Sequence, residues 1–179
     1  MFDSAYRFKG SYKSKVKKLC DPVEPGRSIA PFYIFNRMVD VLECAAIVGF
    51  CYNKRVTEID NEDDENISGE INAKTMINES SRLQFIYRLI MMNEDVLEPI
   101  IYEEMSLEDS TIKSKVDVTF RFDLDPVRNK DYMDLFNSYV MGGIDILFDK
   151  FSEVKTREDA VEVMNELMEN SRKIINSEQ

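Results

Sequence analysis

Carboxylates are the reactive side chains that this chain concentrates most strongly, so their chemistry is considered first. Residues 58–65 hold six acids in eight positions. The odd-position spacing of an EF-hand calcium loop is present at Asp60, Glu62 and Asp64. That loop also requires a turn glycine at its sixth position and a bidentate acid at its twelfth, and this chain has Glu65 and Ile71 there. The segment therefore predicts a solvated acidic loop and not a calcium site.

A second group of acids lies between residues 103 and 125 and would suit a carboxylate-bound metal for phosphoryl transfer. Its members are Glu103, Glu104, Glu108, Asp109, Asp123 and Asp125. Nothing in their spacing holds them in one rigid constellation, which favours a solvated face. Gly142 and Gly143 lack the spacing and the following Lys-Ser/Thr of a phosphate-binding loop. We therefore expect neither a metal nor a cofactor.

Histidine is missing from the chain, and only three cysteines are present. Without histidine, Ser-His-Asp and Cys-His catalysis are excluded, together with the commonest general base near neutral pH. Cys20, Cys44 and Cys51 form no Cys-x-x-Cys pair. Since the first residues also lack a signal-peptide pattern, a reducing, cytoplasmic setting is expected. These observations predict a protein that is not an enzyme.

The net charge of −11 is unevenly distributed. Residues 1–30 carry seven Lys/Arg and three Asp/Glu, a local +4 that leaves −15 on the rest of the chain. An acidic chain is a poor candidate for broad duplex binding, which needs clustered cations. The candidates for local phosphate contacts lie in the segment 9–18 and are Lys9, Lys13, Lys15, Lys17 and Lys18.

Hydrophobic periodicity predicts a mainly α, single-domain helical bundle of about five helices with a small β element near 115–123. Residues 1–30 are expected to form a basic arm or lead-in, 31–172 the helical domain, and 173–179 a frayed tail. The expected helices cover 31–52, 80–92, 95–103 and 129–151, with a last helix after a capping box at residues 156–159.

The helix ending near Tyr52 is the most apolar of these. Between Val41 and Tyr52 only Glu43 is charged, so we expect the helix to be central and buried, with Val41, Ala45 and Val48 inside. It is shorter than the ~20 apolar residues of a membrane span. Gly49 is expected at or near its end, where a left-handed or tightly packed residue is needed.

Two glycines interrupt the helix predicted for residues 129–151. Each costs about 1 kcal/mol relative to alanine in a helix interior, so Gly142 and Gly143 need a compensating contact. One explanation is close approach of the central helix, with the side chain of Phe50 or Tyr52 filling the space beside the glycines. The other is that the glycines form a docking groove for a partner protein. Lys54-Arg55 either complements the dipole at that helix's C-terminus or forms an exposed basic contact.

Residues 115–123 alternate between polar and apolar positions, the pattern of a half-buried strand. A strand needs a hydrogen-bonding partner. The candidates are the N-terminal Tyr-Arg-Phe-Lys-Gly segment, residues 55–59, or another chain. Phe120 and Phe122 on the apolar side are candidate interaction residues.

Read in order, these motifs are an Ala-Ala-x-x-Gly-Phe helix, a basic dipeptide, an acid-Val-Leu turn and a Tyr-x-x-Gly-Gly-x-x-x-Leu helix. This order resembles the small Dnd system-associated family, encoded beside bacterial DNA-phosphorothioation and restriction genes. The matching residues are Ala45, Ala46, Gly49, Phe50, Lys54, Arg55, Asp95, Leu97, Tyr139, Gly142, Gly143 and Leu147. Residues 106–126 and the basic N-terminus depart from the pattern. The resemblance implies an accessory protein of an anti-phage defence operon.

The leading functional hypothesis is therefore a non-enzymatic interaction subunit that binds a larger protein of the same operon, such as a defence ATPase or nuclease component. A homo-oligomer is a second expected assembly. The alternatives are a small nucleic-acid-associated regulator using residues 9–18 and 54–55, an acidic DNA-mimic inhibitor and, last, a carboxylate-dependent nuclease. Nucleic acid is expected to bind only indirectly or weakly, and no membrane is expected.

Overall fold

The structure, a computed structural model, describes residues 2–24, 31–58, 68–93 and 129–177. The acidic loop beyond Glu58, the helix expected at 95–103 and the strand expected at 115–123, with Phe120 and Phe122, lie outside the described residues.

The described chain is mainly helical, which confirms the predicted fold class. The described ranges contain five helices and two short strands. The elements are β1 (Tyr6–Arg7), α1 (Tyr12–Cys20), α2 (Met38–Cys51), β2 (Glu70–Ile71), α3 (Ala73–Asn93), α4 (Asn129–Phe151) and α5 (Arg157–Ser177).

Helix α2 is the centre of the bundle, as its sequence predicts. It contacts each of the other four described helices. Val41 and Ala45 are fully buried and Val48 is 8% exposed. Fully burying a valine or leucine side chain contributes about 1.5–3 kcal/mol, so the apolar run of α2 stabilises its packing against the other described helices.

The start of α2 differs from the prediction, which placed it at Pro31. Residues 31–37 are not helical, because Phe32 forms an antiparallel bridge with Val23. The Val23 amide donates to the Phe32 carbonyl (2.7 Å) and the Phe32 amide to the Val23 carbonyl (3.2 Å). These bonds engage the backbone groups that a helix would need, and α2 begins only after the extended residue Arg37.

The basic N-terminal segment is also different from the expected arm. Residues 12–20 form α1, which buries Tyr12, Val16 and Leu19 along one face. The spacing of these three residues is that of an amphipathic helix, and the surrounding lysines obscured it. Phe2 and Phe8 add to the same core at 3% and 0% exposure.

The small sheet pairs the N-terminal segment with residues that follow the acidic loop. Strands β1 and β2 are antiparallel, with Tyr6 opposite Ile71 and Arg7 opposite Glu70. The Phe8 amide continues the ladder by donating to the Gly69 carbonyl at 2.9 Å. The N-terminal candidate strand therefore exists, and its described partner is β2. The described residues 55–58 form no strand.

Helices α3 and α5 each pack one face against the core. The capping box that starts α5 is confirmed, since the Asp159 amide donates to Thr156 Oγ1 (3.1 Å) and the Thr156 amide to Asp159 Oδ2 (3.0 Å). Val161 and Met168 are 60% and 51% exposed, because α5 meets the core along the narrower face that contains Leu167. The tail expected to fray from 173 continues as helix to Ser177.

Helices α2 and α4 cross in direct backbone contact at their glycines. A Cβ on Gly143 would overlap the Ala45 carbonyl group, and one on Gly49 would lie 2.9 Å from the Gly143 amide nitrogen and overlap the Tyr139 carbonyl. The predicted close approach is confirmed. Its occupant was predicted wrongly, because the main chain of Ala45, not the ring of Phe50 or Tyr52, fills the space beside Gly143.

Replacing Gly143 with alanine tests this crossing. The helix-propensity gain of about 1 kcal/mol should be outweighed by the clash, giving a net loss of about 2 kcal/mol or more. The measurement is the free energy of unfolding in urea. Asn165→Ala, at an exposed position of α5, is the matched control and should be neutral or slightly stabilising. A Gly143→Ala variant as stable as the control would contradict backbone contact.

Candidate functional site

The chain that leaves α2 is fixed against α4 by main-chain contacts. Asn53 adopts a left-handed conformation (φ 47°). The Asn53 amide donates to the Phe50 carbonyl and the Lys54 amide to the Gly49 carbonyl, each at 2.9 Å. This pair of bonds is a Schellman motif, a common helix end. The left-handed residue at the end of α2 is therefore Asn53, while Gly49 provides the close approach to α4.

Beyond this turn, two further contacts hold Arg55 in place. A Cβ on Gly142 would overlap the Lys54 carbonyl, and the Val56 amide donates to the Ser138 carbonyl at 3.0 Å. The Arg55 guanidinium carbon lies 4.7 Å from the centre of the Tyr139 ring, a cation–π contact. Tyr139 also packs edge-on against Phe50, with ring centres 5.6 Å apart. Arg55 is thus an oriented surface cation, while the Lys54 main chain belongs to the crossing.

Strand β1 brings a second set of cations to the same side of α4. Successive side chains of an extended segment point to opposite faces. Accordingly Phe8 is fully buried, while Arg7 and Lys9 are exposed. Arg7 donates through Nε to a Glu70 carboxylate oxygen, and the neighbouring Tyr6 hydroxyl donates to Asn137 Oδ1 at 2.9 Å. Residues 6–9 are therefore attached to both β2 and α4.

These segments enclose a cavity of about 450 Å³, which we call the basic groove. Its charged lining residues are Arg7, Lys9, Arg55 and Asp134. Uncharged residues complete the wall, with Asn137 among the polar ones and Val56 and Met141 among the apolar ones. Three elements that are distant in sequence thus place three cations and one carboxylate around one cavity.

The other lysines predicted as phosphate contacts lie elsewhere. Lys15 donates from Nζ to Asp145 Oδ1 at 2.6 Å, so it fastens α1 to α4. The Lys13 side chain covers Gly69. Lys17 is exposed, and Lys18 Nζ lies 5.6 Å from the Phe148 ring centre. The segment 9–18 therefore does not present its lysines as one surface.

The predicted packing residues Gly49, Phe50, Tyr139, Gly142 and Gly143 meet at the crossing of α2 and α4. Of the basic residues predicted as phosphate or partner contacts, Lys9 and Arg55 line the same cavity. Sequence reasoning missed Arg7 as their neighbour. A usable signal existed, because Arg7 and Lys9 flank Phe8 in an alternating segment, and alternation places them on one face.

A second candidate surface is apolar and lies on α3. Four large side chains on the solvent side of this helix form what we call the α3 face: Ile77, Phe85, Leu89 and Met92. Phe85 is 67% exposed, Ile77 53% and Met92 51%. On the opposite side, Leu83, Ile90 and other residues are buried in the core. Phe85, Leu89 and Met92 follow one another in steps of four and three residues and so lie side by side on one stripe. Ile77 lies two turns before Phe85 on the same side of the helix.

Ion pairs hold α3 against α2 beside this face. Arg37 donates to Glu79 Oε1 at 2.7 Å, and Arg82 donates to Glu79 Oε2 at 2.6 Å. The hydrogen bond from Arg37 is the largest cause that lowers the pKa of Glu79. Arg82 also lies 3.3 Å from Glu43 Oε1. These side chains connect the start of α2, its middle and the first half of α3.

Glu43 is the exception within this network. Its Oε1 is buried and accepts no hydrogen bond from the described residues. Burial raises the pKa of Glu43 above its ordinary value, even though the charge of Arg82 acts in the opposite direction. The ionised carboxylate is therefore less favourable in the folded protein than in the unfolded chain.

The thiols show no sign of activation. Burial raises the pKa of Cys44 to about 11. Burial, with the charges of Asp40 and Asp21, does the same for Cys20. The pKa of Cys51 is raised by burial, partly offset by a hydrogen bond with Ser171. Thiols that stay protonated at neutral pH are poor nucleophiles. Among the described residues, no group of three acids or cysteines has a metal-binding arrangement.

No family model, curated protein or solved structure matches the chain. None of the helices in the described ranges is long and apolar enough to cross a membrane. The two candidate surfaces, the basic groove and the α3 face, are therefore interpreted from their own geometry and chemistry.

Replacing Glu43 with glutamine should stabilise the protein at neutral pH. An acid whose pKa is raised by folding destabilises the folded state when it is ionised. The penalty disappears as the pH falls through its folded-state pKa toward and below the ordinary value of 4.5. The advantage of Glu43→Gln should therefore be present at pH 7 and vanish near pH 4. Urea unfolding at both pH values measures it, and a variant less stable than wild type at pH 7 would show that the Arg82 ion pair dominates.

Proposed function

We propose that this protein is a non-enzymatic interaction subunit whose α3 face binds a larger protein encoded in the same operon. The exposure of four large apolar side chains along this helix is the observation that carries the proposal. Contiguous exposed apolar residues are uncommon on monomeric proteins and often mark an interaction surface. Ile77 and Met92 are 15 positions apart, which corresponds to about 22 Å of helix.

This geometry fits helix-in-groove recognition. In that mode one face of an amphipathic helix lies in an apolar groove, and residues spaced by three or four positions act as anchors. Phe85, Leu89 and Met92 have this spacing. Phe85 is the natural principal anchor, because it is the most exposed and aromatic residues dominate binding energy at interfaces. The net charge of −11 favours a groove with a basic rim, which would also accelerate association.

The resemblance noted in the sequence supplies the biological setting of the proposal. In that setting the partner is a component of a bacterial anti-phage defence system, with a defence ATPase or nuclease as the expected class. The raised thiol pKa values argue against a cysteine nucleophile. A regulator that binds nucleic acid along residues 9–18 receives less support, because Lys13 and Lys15 are engaged with other parts of the fold.

Phe85→Asp tests the proposal. When the tagged protein is co-expressed with the neighbouring genes of its operon, we expect the wild-type protein to retain one larger product on affinity capture. Phe85→Asp should lose it, because a carboxylate in the centre of an apolar contact is left without a partner. Quantification of the captured product by mass spectrometry is the measurement. The unfolding midpoint of the variant should stay close to that of wild type, since Phe85 lies largely in solvent.

Val161→Asp is the matched control. Val161 is also a solvent-exposed apolar residue, 60% exposed, but it lies on α5. This variant should retain the partner. Equal loss in both variants, or capture of no operon product by the wild-type protein, would contradict binding through the α3 face. Sedimentation of the isolated chain distinguishes the remaining alternative, in which a second copy covers this face.

A further inference from the structure

The basic groove has properties of a ligand site that binding through α3 does not explain. Its volume of about 450 Å³ lies within the ~300–1,000 Å³ typical of small-molecule sites. It contains a charged part and an apolar part, as such sites usually do. Arg7, Lys9 and Arg55 provide positive charge, and Val56, Leu135 and Met141 provide apolar wall.

The basic groove has a positive charge although the chain as a whole is acidic. The protein as a whole carries −11, and the groove has three cations with one carboxylate in its lining. The cations come from two parts of the sequence that are more than 45 positions apart. Grouping like charges is unfavourable unless an opposite charge balances them. Among the described residues, Glu70 pairs with Arg7 and Asp134 is the carboxylate in the lining, so three cations stand against two acids and the local charge favours an anion.

The arginines of the groove are positioned before any ligand arrives. Arg55 is stacked on Tyr139, and its main chain is fixed by the bond from the Val56 amide to the Ser138 carbonyl. Arg7 is oriented by the bond from its Nε to Glu70. Guanidinium groups held in this way lose little conformational entropy on binding. Their planar arrangement of donors suits the oxygens of phosphate.

We propose that the basic groove binds a small phosphate monoester of mononucleotide size. Arg7, Lys9 and Arg55 hold the phosphate, and the apolar wall contacts the rest of the ligand. Asp134 accepts a hydrogen bond from a hydroxyl or amino group of the same molecule. The site is independent of the α3 face, so either proposal can fail without the other.

Calorimetric titration of the full chain with adenosine 5′-monophosphate tests the site, and adenosine is the comparison ligand. The monophosphate should bind and adenosine should not, because the phosphate carries the recognition. Arg55→Gln and Lys9→Gln should each weaken binding about tenfold, the equivalent of one lost charge-assisted contact. Lys17→Gln is the matched control. It removes an exposed lysine of α1 outside the groove and should leave the affinity unchanged.

The unfolding midpoint of each variant separates lost binding from lost folding. If Arg55→Gln is destabilised, Lys9→Gln at its exposed position still decides the question. The proposal is overturned if the monophosphate does not bind, if adenosine binds equally well, or if Lys17→Gln weakens binding as much as Lys9→Gln. It is also overturned if a single-stranded oligonucleotide binds more tightly than the monophosphate and is weakened by Lys17→Gln. That result would identify a surface for nucleic acid.

Discussion

The contact between the backbones of α2 and α4 determines where the other elements can lie. Helices in globular proteins usually pack with their axes 8–10 Å apart, separated by side chains. At this crossing Gly49 and Gly143 remove those side chains, and their Cα–H groups point at the carbonyls of Tyr139 and Ala45. Such C–H···O contacts contribute about 0.5–1 kcal/mol each. The larger effect is geometric, because two helices in backbone contact have little freedom to slide or rotate.

Both candidate surfaces follow from this constraint. The chain after α2 runs directly over Gly142, which places Arg55 on Tyr139 and forms one wall of the basic groove. On the other side of α2, the ion pairs of Arg37 with Glu79 and of Arg82 with Glu43 attach α3. Since the core is already filled by α2 and α4, α3 buries only one of its faces. Phe85 and its neighbours on the α3 face stay in solvent.

Local signals in the sequence were sufficient for much of the fold. The limits of α4, the capping box at Thr156 and the burial of α2 all depend on residues close together in the chain, and they were predicted correctly. The crossing of α2 with α4 could also be anticipated, because two glycines in a helix need a compensating contact. The group that fills the space beside Gly143 could not be predicted, since the choice between an aromatic ring and a backbone carbonyl depends on how closely the two helices approach each other.

Long-range arrangement explains what sequence reasoning missed. Helix α1 was interpreted as an arm because its lysines outnumber Tyr12, Val16 and Leu19, and only the acceptor Asp145 on α4 shows why Lys15 is not solvated. Lys9 and Arg55 line the same groove because the hydrogen bond from Tyr6 to Asn137, 131 positions later, attaches the β1 segment to α4. The family resemblance and the defence setting stay predictions.

The most direct test of the account is a nuclear Overhauser measurement at the crossing. Backbone contact predicts strong cross-peaks between the Hα protons of Gly143 and Ala45, and between the Hα protons of Gly49 and the Gly143 amide proton. A spectrum in which α2 and α4 are connected only through side-chain protons would contradict the account. The helices would then be separated by a normal layer of side chains, and neither the position of Arg55 nor the basic groove would follow.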